Sequence, residues 1–164
     1  MSAALLVADS GPLIALARLD LLGLPARYFE SVFVPFTVWE EVRRKPGVDE
    51  EARLLSAVDA RQIRVVADPE TIPESLSRSS IDAGERRAIA LGIELKASLL
   101  MDDRRARLVA VALGRPVIGT LGLLLRARED GLFPTLRPLL ERLQATGYYL
   151  PGELVREILS SLGE

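Results

Sequence analysis

The chain has 164 residues, of which 49% are apolar and 5% aromatic, and its formal net charge is −2. This size and composition predict that residues 1–164 form one domain with an aliphatic core. The sequence has neither cysteine nor histidine, which excludes disulfides, Cys-ligated zinc and a Ser-His-Asp triad. Any catalysis therefore depends on carboxylates, Arg, Lys, Tyr or a metal ion with oxygen ligands, for which Mg²⁺ or Mn²⁺ is suited.

The sequence shows no sign of a membrane or export segment. It has no run of about 18 or more apolar residues. The N-terminal residues MSAALLVADSGPL lack a basic leader and reach Asp9 within ten positions. We therefore expect a cytoplasmic protein with no membrane partner. Apart from Lys45 and Lys96, the 21 basic residues are arginines, which suit phosphate contacts but are equally explained by compositional bias.

Short apolar runs alternate with stretches of helical periodicity along the chain, separated by turn and capping residues. In chain order they predict a strand over 3–8, a helix over about 12–19, a strand over 31–34, a helix beginning near Thr37, a helix over 48–61, a strand over 63–67, a helix over 82–96, a strand over 97–101, a helix ending near Gly114, a strand over 116–119, a helix capped by Thr120, and helices over about 136–145 and 152–162 separated by Gly147. This alternation predicts an α/β fold, a three-layer α/β/α sandwich with a mainly parallel sheet, with the last two helices packed on it or extending it.

Acidic residues follow two of the predicted strands directly. Asp9 ends the first strand, and Asp102 and Asp103 follow the strand over 97–101. In open parallel sheets, binding sites lie beyond the carboxyl ends of the strands. Ser10 is the predicted N-cap of the first helix, which leaves Asp9 as a buried carboxylate that is costly unless it is paired or binds a metal. Only one of Asp102 and Asp103 can cap the next helix, so at least one is free for another role.

Two further acidic pairs lie at predicted helix starts. The spacing Thr37-x-x-Glu40 matches a capping box, so the neighbouring Glu41, on a different helical face, is the better site candidate. Asp82 and Glu85 match a capping box in the same way. For that pair, the spacing alone does not separate a structural role from a functional one.

Together these acids predict a carboxylate cluster at one edge of the sheet. Such a cluster repels itself unless a divalent cation neutralises it. One or two Mg²⁺ ions can activate a water molecule and stabilise the leaving oxygen of a phosphodiester. Arginines in the first turns of two helices could contact backbone phosphates, although some are expected to be ordinary surface residues: Arg86, Arg87, Arg104, Arg105 and Arg107.

Five segments in this order, VADSGPLIAL, VPFTVWEEV, DAGERRAIALG, LLMDDRRAR and VIGTLGLLL, resemble the PIN-domain superfamily. The resemblance is closest to small prokaryotic PIN-like proteins of the DUF3368 type, which are related to the VapC toxins. The closing GYYLPGELVREIL resembles the tail of that branch, so the resemblance spans nearly the whole chain. It implies a Mg²⁺- or Mn²⁺-dependent endoribonuclease acting on RNA, often the toxin of a toxin–antitoxin pair, with a homodimeric assembly and an antitoxin partner.

The resemblance also implies which residues form the site. The acids of the family fall on Asp9, Glu41, Glu85 and Asp103, which are then the catalytic and metal-binding residues. Further residues implied near them are the acids Asp82 and Asp102 as additional or alternative metal ligands, and Ser10, Arg86, Arg104 and Arg105 as substrate-binding residues.

The chain departs from the family pattern at two positions. Glu85 stands where the third acid is commonly Asp, which lengthens the arm that holds the carboxylate. Met101 stands where a T-x-D pattern has Thr, which removes a hydroxyl near Asp103. The sequence therefore also allows an alternative function, a catalytically weak or inactive PIN-like module that binds RNA or a protein partner.

Two other classes of α/β protein fit the sequence less well. A phospho-accepting receiver needs an acidic pair after the first strand, an acceptor Asp in mid-chain and a late Lys. Here the first strand ends in Asp9 alone, and no lysine follows Lys96. A dinucleotide-binding domain needs a G-x-G-x-x-G fingerprint, which the segment after the first strand lacks.

Overall fold

The computed structural model describes residues 4–44 and 46–164. The expected strand residue Ala3 lies outside the described residues. Five short strands occur where the apolar runs predict them, namely β1 (Leu5–Ala8), β2 (Ser31–Pro35), β3 (Arg64–Val66), β4 (Ser98–Leu100) and β5 (Val117–Ile118). Apart from Pro35, which extends β2 by one residue, each strand lies within its predicted range.

Helices connect and flank the strands. Their bounds are α1 (Ser10–Arg18), α2 (Phe36–Val42), α3 (Val48–Asp59), α4 (Glu74–Ser77), α5 (Ala83–Leu95), α6 (Arg104–Ala112), α7 (Thr120–Glu129), α8 (Arg137–Ala145) and α9 (Gly152–Ser161). The sequence did not predict α4 or a 3₁₀ turn at Pro25–Arg27. Both are too short to produce a periodic pattern of apolar residues. The helices in the described ranges are all too short or too polar to cross a membrane.

The five strands form one parallel sheet in the order β3-β2-β1-β4-β5. The chain moves outward from β1 through β2 to β3 and then returns to pair β4 with the other edge of β1. Connections between parallel strands are right-handed, so crossovers that run in opposite directions along the sheet place helices on both of its faces. The predicted α/β fold with a parallel sheet is confirmed.

The central position of β1 creates a crevice at the carboxyl ends of β1 and β4. At this point the strand order reverses, which is where open α/β sheets bind ligands. The backbone amide of Asp9 donates to the carbonyl of Leu100 at 3.0 Å, and this bond ties the ends of the two strands together. The residues that follow β1 and β4 therefore meet at one edge of the sheet.

The core beneath this edge is built almost entirely of aliphatic side chains. Leu6, Leu99 and Leu100 on the two central strands are fully buried, as is Met101 immediately after β4. Fully burying a side chain of this size stabilises the fold by about 1.5–3 kcal/mol. The strand ends are therefore rigid supports for the polar residues that follow them.

The predicted N-cap at Ser10 is wrong by one position. Helix α1 begins at Ser10, and Asp9 occupies the N-cap position with extended backbone angles (φ −88°, ψ 170°). Within the described part of the chain, the Asp9 side chain makes no capping hydrogen bond to this helix. The expectation that Asp9 has no local structural role therefore holds, although its position relative to the helix was predicted incorrectly.

The caps predicted from Thr37 and Thr120 are also wrong, for a shared reason. Each threonine lies inside its helix, and both its amide and its hydroxyl donate to an aspartate at the end of a neighbouring strand. Thr37 donates to Asp68 at 2.9 and 2.5 Å, and Thr120 donates to Asp102 at 2.8 and 2.6 Å. The capping box with Glu40 is not formed, because the distant carboxylate satisfies the threonine instead.

Candidate active site

Asp9 is the most deeply buried acid at the strand ends, with 4% of its surface exposed. Its Oδ1 atom is buried and has no hydrogen-bond partner among the described residues. The pKa of Asp9 is raised from 3.8 to about 7, mainly by burial; the charges of Glu85, Asp82 and Glu41 contribute to the rise, while the Ser10 amide opposes it. A buried carboxylate that has one unpartnered oxygen and is surrounded by like charges is typical of a functional site.

Glu41 reaches from α2 to the first turn of α5. A Cβ atom built on Gly84 would lie 2.4 Å from its Oε1 atom, so the carboxylate rests directly on the glycine backbone. Burial raises the pKa of Glu41, the Asp82 charge adds to the rise, and the Ser10 side chain opposes it. The absence of a side chain at Gly84 is therefore what admits Glu41 to the cluster.

Replacing Gly84 with alanine should displace Glu41 without weakening the fold. Alanine favours the helix by up to about 1 kcal/mol over glycine, and the Glu41 carboxylate is the flexible end of a side chain that can swing away. We expect Mn²⁺ affinity, measured by calorimetry, to fall about tenfold, because misplaced groups around a metal typically weaken binding by that order. The melting temperature should stay the same or rise.

The control for this variant is Gly122→Ala on α7, where the new Cβ would meet only a side-chain carbon at 3.4 Å. It should leave Mn²⁺ affinity unchanged. Unaltered Mn²⁺ affinity in Gly84→Ala would show that the position of Glu41 does not matter for cation binding.

Asp82 and Glu85 form the capping box that their spacing predicted. The Glu85 amide donates to Asp82 Oδ1 at 2.8 Å, and Glu85 Oε2 accepts from the Asp82 amide at 2.9 Å. Glu85 is also 9% exposed, and its pKa is raised by burial and by the charges of Asp82, Asp103 and Glu41, against the opposing Asp82 amide. Each carboxylate uses one oxygen in the box, so the capping role does not exclude a role in the cluster.

The two acids after β4 have different surroundings. Asp103 is exposed and caps α6, with Oδ1 accepting from the amide three residues on at 2.9 Å. Its charge contributes to the raised pKa of Glu85. In Asp102 both oxygens are engaged, because Oδ1 accepts from the Thr120 amide and Oδ2 accepts from the hydroxyls of Thr120 and Tyr148. Asp103 is therefore the freer carboxylate of the pair.

Tyr148 and Asp68 are polar residues at the strand ends that the sequence analysis did not single out. Tyr148 lies in the loop between α8 and α9, and its partner Asp102 is 46 residues earlier. Asp68 follows β3 and binds Thr37, which is 31 residues away. No local spacing links residues this far apart, so only the arrangement of the strands could have identified these pairs.

The arginines near the acids fall into two groups. Arg86 is half-buried and donates to the Ser79 carbonyl at 2.8 Å, and Arg87 forms an ion pair with Asp68 at 3.3 Å. Arg104 and Arg105 are exposed in the first turn of α6, directly after Asp103. The predicted phosphate contacts of Arg86, Arg104 and Arg105 stay predictions, and the last two are the better placed for them.

Two cavities of the molecule lie away from the carboxylate cluster at the strand ends. A cavity of about 670 Å³ lies beside the turn after α1, and another of about 650 Å³ lies between β3 and α5. Neither cavity is lined by Asp9, Glu41, Glu85 or Asp103.

The residues at this edge fit a hard divalent cation in the chemistry of their side chains. All the side-chain donors of the cluster are oxygens, which Mg²⁺ and Mn²⁺ prefer, and the unpartnered Oδ1 of Asp9 lies among them. Across residues 4–44 and 46–164, no three acidic side chains are close enough to enclose an ion as they stand.

Comparison with known proteins decides the family. A family model described as a PIN domain, DUF3368, matches residues 5–164. The chain belongs to the PIN-domain family. The resemblance carried by its five sequence segments is thereby confirmed. A search of curated proteins finds no match to this PIN domain.

Solved structures share the fold of this PIN domain at low sequence identity. PAE2754 from Pyrobaculum aerophilum matches with a TM-score of 0.52 and 16% identity, covering 77% of this chain and 90% of the other. A PilT N-terminus domain protein, SSO1118, from the archaeon Sulfolobus solfataricus P2 matches with a TM-score of 0.49 and 17% identity, covering 73% and 89%. At 16% identity, the similarity to PAE2754 shows the fold alone.

Proposed function

We propose that this PIN domain is a Mg²⁺- or Mn²⁺-dependent endoribonuclease that hydrolyses RNA phosphodiester bonds. The family generally includes nucleases. The observation that carries the proposal is the environment of Asp9, whose buried Oδ1 has no partner among the described residues and whose pKa is raised to about 7 by burial and by three neighbouring acids. A divalent cation would satisfy that oxygen and relieve the repulsion.

In this proposal the cation is held by acids from three segments of the chain. Asp9 after β1, Glu85 on α5 and Asp103 after β4 would be the ligands, and Glu41 would complete the cluster or orient the attacking water. A bound Mg²⁺ or Mn²⁺ supplies an activated water and stabilises the charge on the leaving oxygen. Asp82 is held in the capping box beside them and adds negative charge.

Other residues of the chain would position the substrate. Arg104 and Arg105 are exposed next to Asp103, where their guanidinium groups would contact the phosphates on either side of the reacting one. The Ser10 side chain opposes the raised pKa of Glu41, so it would keep that carboxylate ionised and oriented. Burial of Asp9 keeps bulk water away from the oxygen that would face the ion.

The product ends test the proposed mechanism. A labelled single-stranded RNA incubated with the protein and Mn²⁺ should yield fragments with a 5′-phosphate and a 3′-hydroxyl, because a metal-activated water attacks the phosphorus in line. The same incubation with a chelator should give no cleavage. Fragments that end in a 2′,3′-cyclic phosphate would contradict the mechanism, since they arise from attack by the RNA's own 2′-hydroxyl.

A second candidate function is a weakly active or inactive module that binds RNA or a protein partner. It is favoured by one observation, that within the described ranges no three acids stand ready to enclose an ion. A metal titration separates the two functions. Mn²⁺ binding together with RNA binding, but without hydrolysis of any RNA tested, would favour the binding module.

The assembly and partner are proposed from the family resemblance alone. We propose that the protein forms a homodimer and acts as the toxin of a toxin–antitoxin pair, with an antitoxin as its protein partner. Light scattering of the purified chain would test the first part, since a dimer has twice the 17.9 kDa mass of the chain. Growth arrest of cells that express the protein, but not of cells that express an Asp9 variant, would support the role as a toxin.

A further inference from the structure

A hydroxyl from the C-terminal region lies between the two strand ends that supply the site. Tyr148 donates to Asp102 Oδ2, and its hydroxyl oxygen lies 3.4 Å from where a Cβ atom on Gly11 would be. Gly11 is the second residue after Asp9, so the phenol spans from the end of β4 to the start of α1. Burial is the main cause of the raised pKa of Tyr148, and the charges of Asp102 and Asp9 add to it, which agrees with this placement.

Asp102 is held more completely than any neighbouring acid. It receives the Thr120 amide at 2.8 Å, the Thr120 hydroxyl at 2.6 Å and the Tyr148 hydroxyl. Thr120 itself is fully buried. With both oxygens engaged, Asp102 is suited to anchoring the turn after β4 rather than to binding an ion. Because Asp103 is the next residue in that turn, the anchor fixes the place of its carboxylate as well.

We propose that Tyr148 is a positioning residue of the cation site, which holds Asp102, and through it Asp103, at a fixed place relative to Asp9. The inference rests on the proposed function, because it concerns the same acids. It assigns a role in the site to the loop between α8 and α9, which lies far from the acids in sequence. Groups that orient the ligands of a metal typically change its affinity by ten- to a hundredfold when removed.

The test is Tyr148→Phe, which removes the hydroxyl and keeps the ring. We expect Mn²⁺ affinity measured by calorimetry to fall at least about tenfold. In the protein without metal, hydrogen exchange of the Thr120 amide should accelerate about fivefold, because its acceptor has lost one of three hydrogen bonds. The second measurement needs no cation and no substrate.

The matched control is Tyr28→Phe. It removes another tyrosine–aspartate hydrogen bond, from Tyr28 to Asp130 at 2.8 Å, away from the strand ends. Its Mn²⁺ affinity and its Thr120 exchange rate should equal those of the wild type, and a general loss of stability would affect both variants alike. Wild-type affinity and wild-type exchange in Tyr148→Phe would overturn the proposal.

The outcomes also separate this inference from the proposed function. If the wild-type protein binds Mn²⁺ but cleaves no RNA, the endoribonuclease proposal is refuted. A lower Mn²⁺ affinity of Tyr148→Phe than of the wild type would still support the inference. If the wild type cleaves RNA and Tyr148→Phe binds Mn²⁺ as tightly as the wild type, the inference alone is refuted. A wild type that binds no Mn²⁺ would overturn both.

Discussion

Replacing Asp9 with asparagine should lower Mn²⁺-dependent RNA cleavage by more than about a hundredfold. Removing a group that only orients the ligands of a metal already lowers metal affinity or activity ten- to a hundredfold. Asp9 is the acid of the cluster that has a buried oxygen without a partner among the described residues. Asparagine keeps the shape of the side chain and removes its charge. Cleavage rates of both proteins on one labelled RNA, over a range of Mn²⁺ concentrations, measure the effect.

The control for this prediction is Glu40→Gln, which removes a carboxylate from the exposed neighbour of Glu41. Its cleavage rate should stay within about twofold of the wild type, since surface substitutions away from a site have small effects. If Asp9→Asn cleaves as fast as Glu40→Gln, Asp9 does not bind the catalytic ion. If the Asp9 variant retains Mn²⁺ affinity but loses cleavage, its role lies in the chemistry instead.

The same substitution should also change how stability depends on pH in the protein without metal. The pKa of Asp9 is raised from 3.8 to about 7 in the folded state. Between these values the folded protein binds more protons than the unfolded chain, so the free energy of unfolding falls as pH rises from about 4 to about 7. The stabilising contribution is present in acid and lost above the folded pKa. Its size is on the order of 4 kcal/mol.

The measurement is urea unfolding with a chelator at pH 5 and at pH 8. Asparagine cannot titrate. The free energy of unfolding of the Asp9→Asn variant should therefore fall less with rising pH than that of the wild type. The wild type should lose stability relative to the variant by about 2.6 kcal/mol between the two pH values, because part of the full effect is already lost at pH 5, above the unfolded pKa of 3.8. This double difference cancels any constant packing effect of asparagine. It includes the change in the titration of Glu41 and Glu85 that follows from loss of the neighbouring Asp9 charge. Parallel stability changes in the two proteins would mean that Asp9 ionises normally.

Local sequence patterns predicted the sheet well because the strands are short apolar runs bounded by turn residues. A run such as Leu5–Ala8 has no polar residue to expose and can only be a buried strand or a buried helix segment. The following Asp9-Ser10-Gly11-Pro12 ends the run abruptly and favours a strand. The convergence of Asp9 and Asp103 at one edge followed from the parallel order alone, without any knowledge of side-chain positions.

Local patterns failed where a side chain has a choice of partners. Thr37 and Thr120 match the sequence pattern of helix caps, yet each donates to an aspartate at the end of another strand. Each aspartate accepts both the amide and the hydroxyl of its threonine. Hydrogen bonds to a charged acceptor are strong, so the distant partner is preferred once the sheet has formed. Tyr148 could not be predicted for the same reason, because its partner Asp102 comes near only in the folded chain.

The strand order has a consequence for the synthesis of the chain. Strand β1 pairs with β2 on one edge and with β4 on the other, and β4 emerges from the ribosome long after β2. While residues 36–97 are being made, one edge of a wholly apolar strand offers unpaired backbone groups, which favours aggregation. During this time Asp103 has not yet been synthesised, so it cannot lie beside Asp9. The arrival of β4 therefore ends the period of greatest aggregation risk and, in the same step, brings the end of β4 and the acids after it beside Asp9.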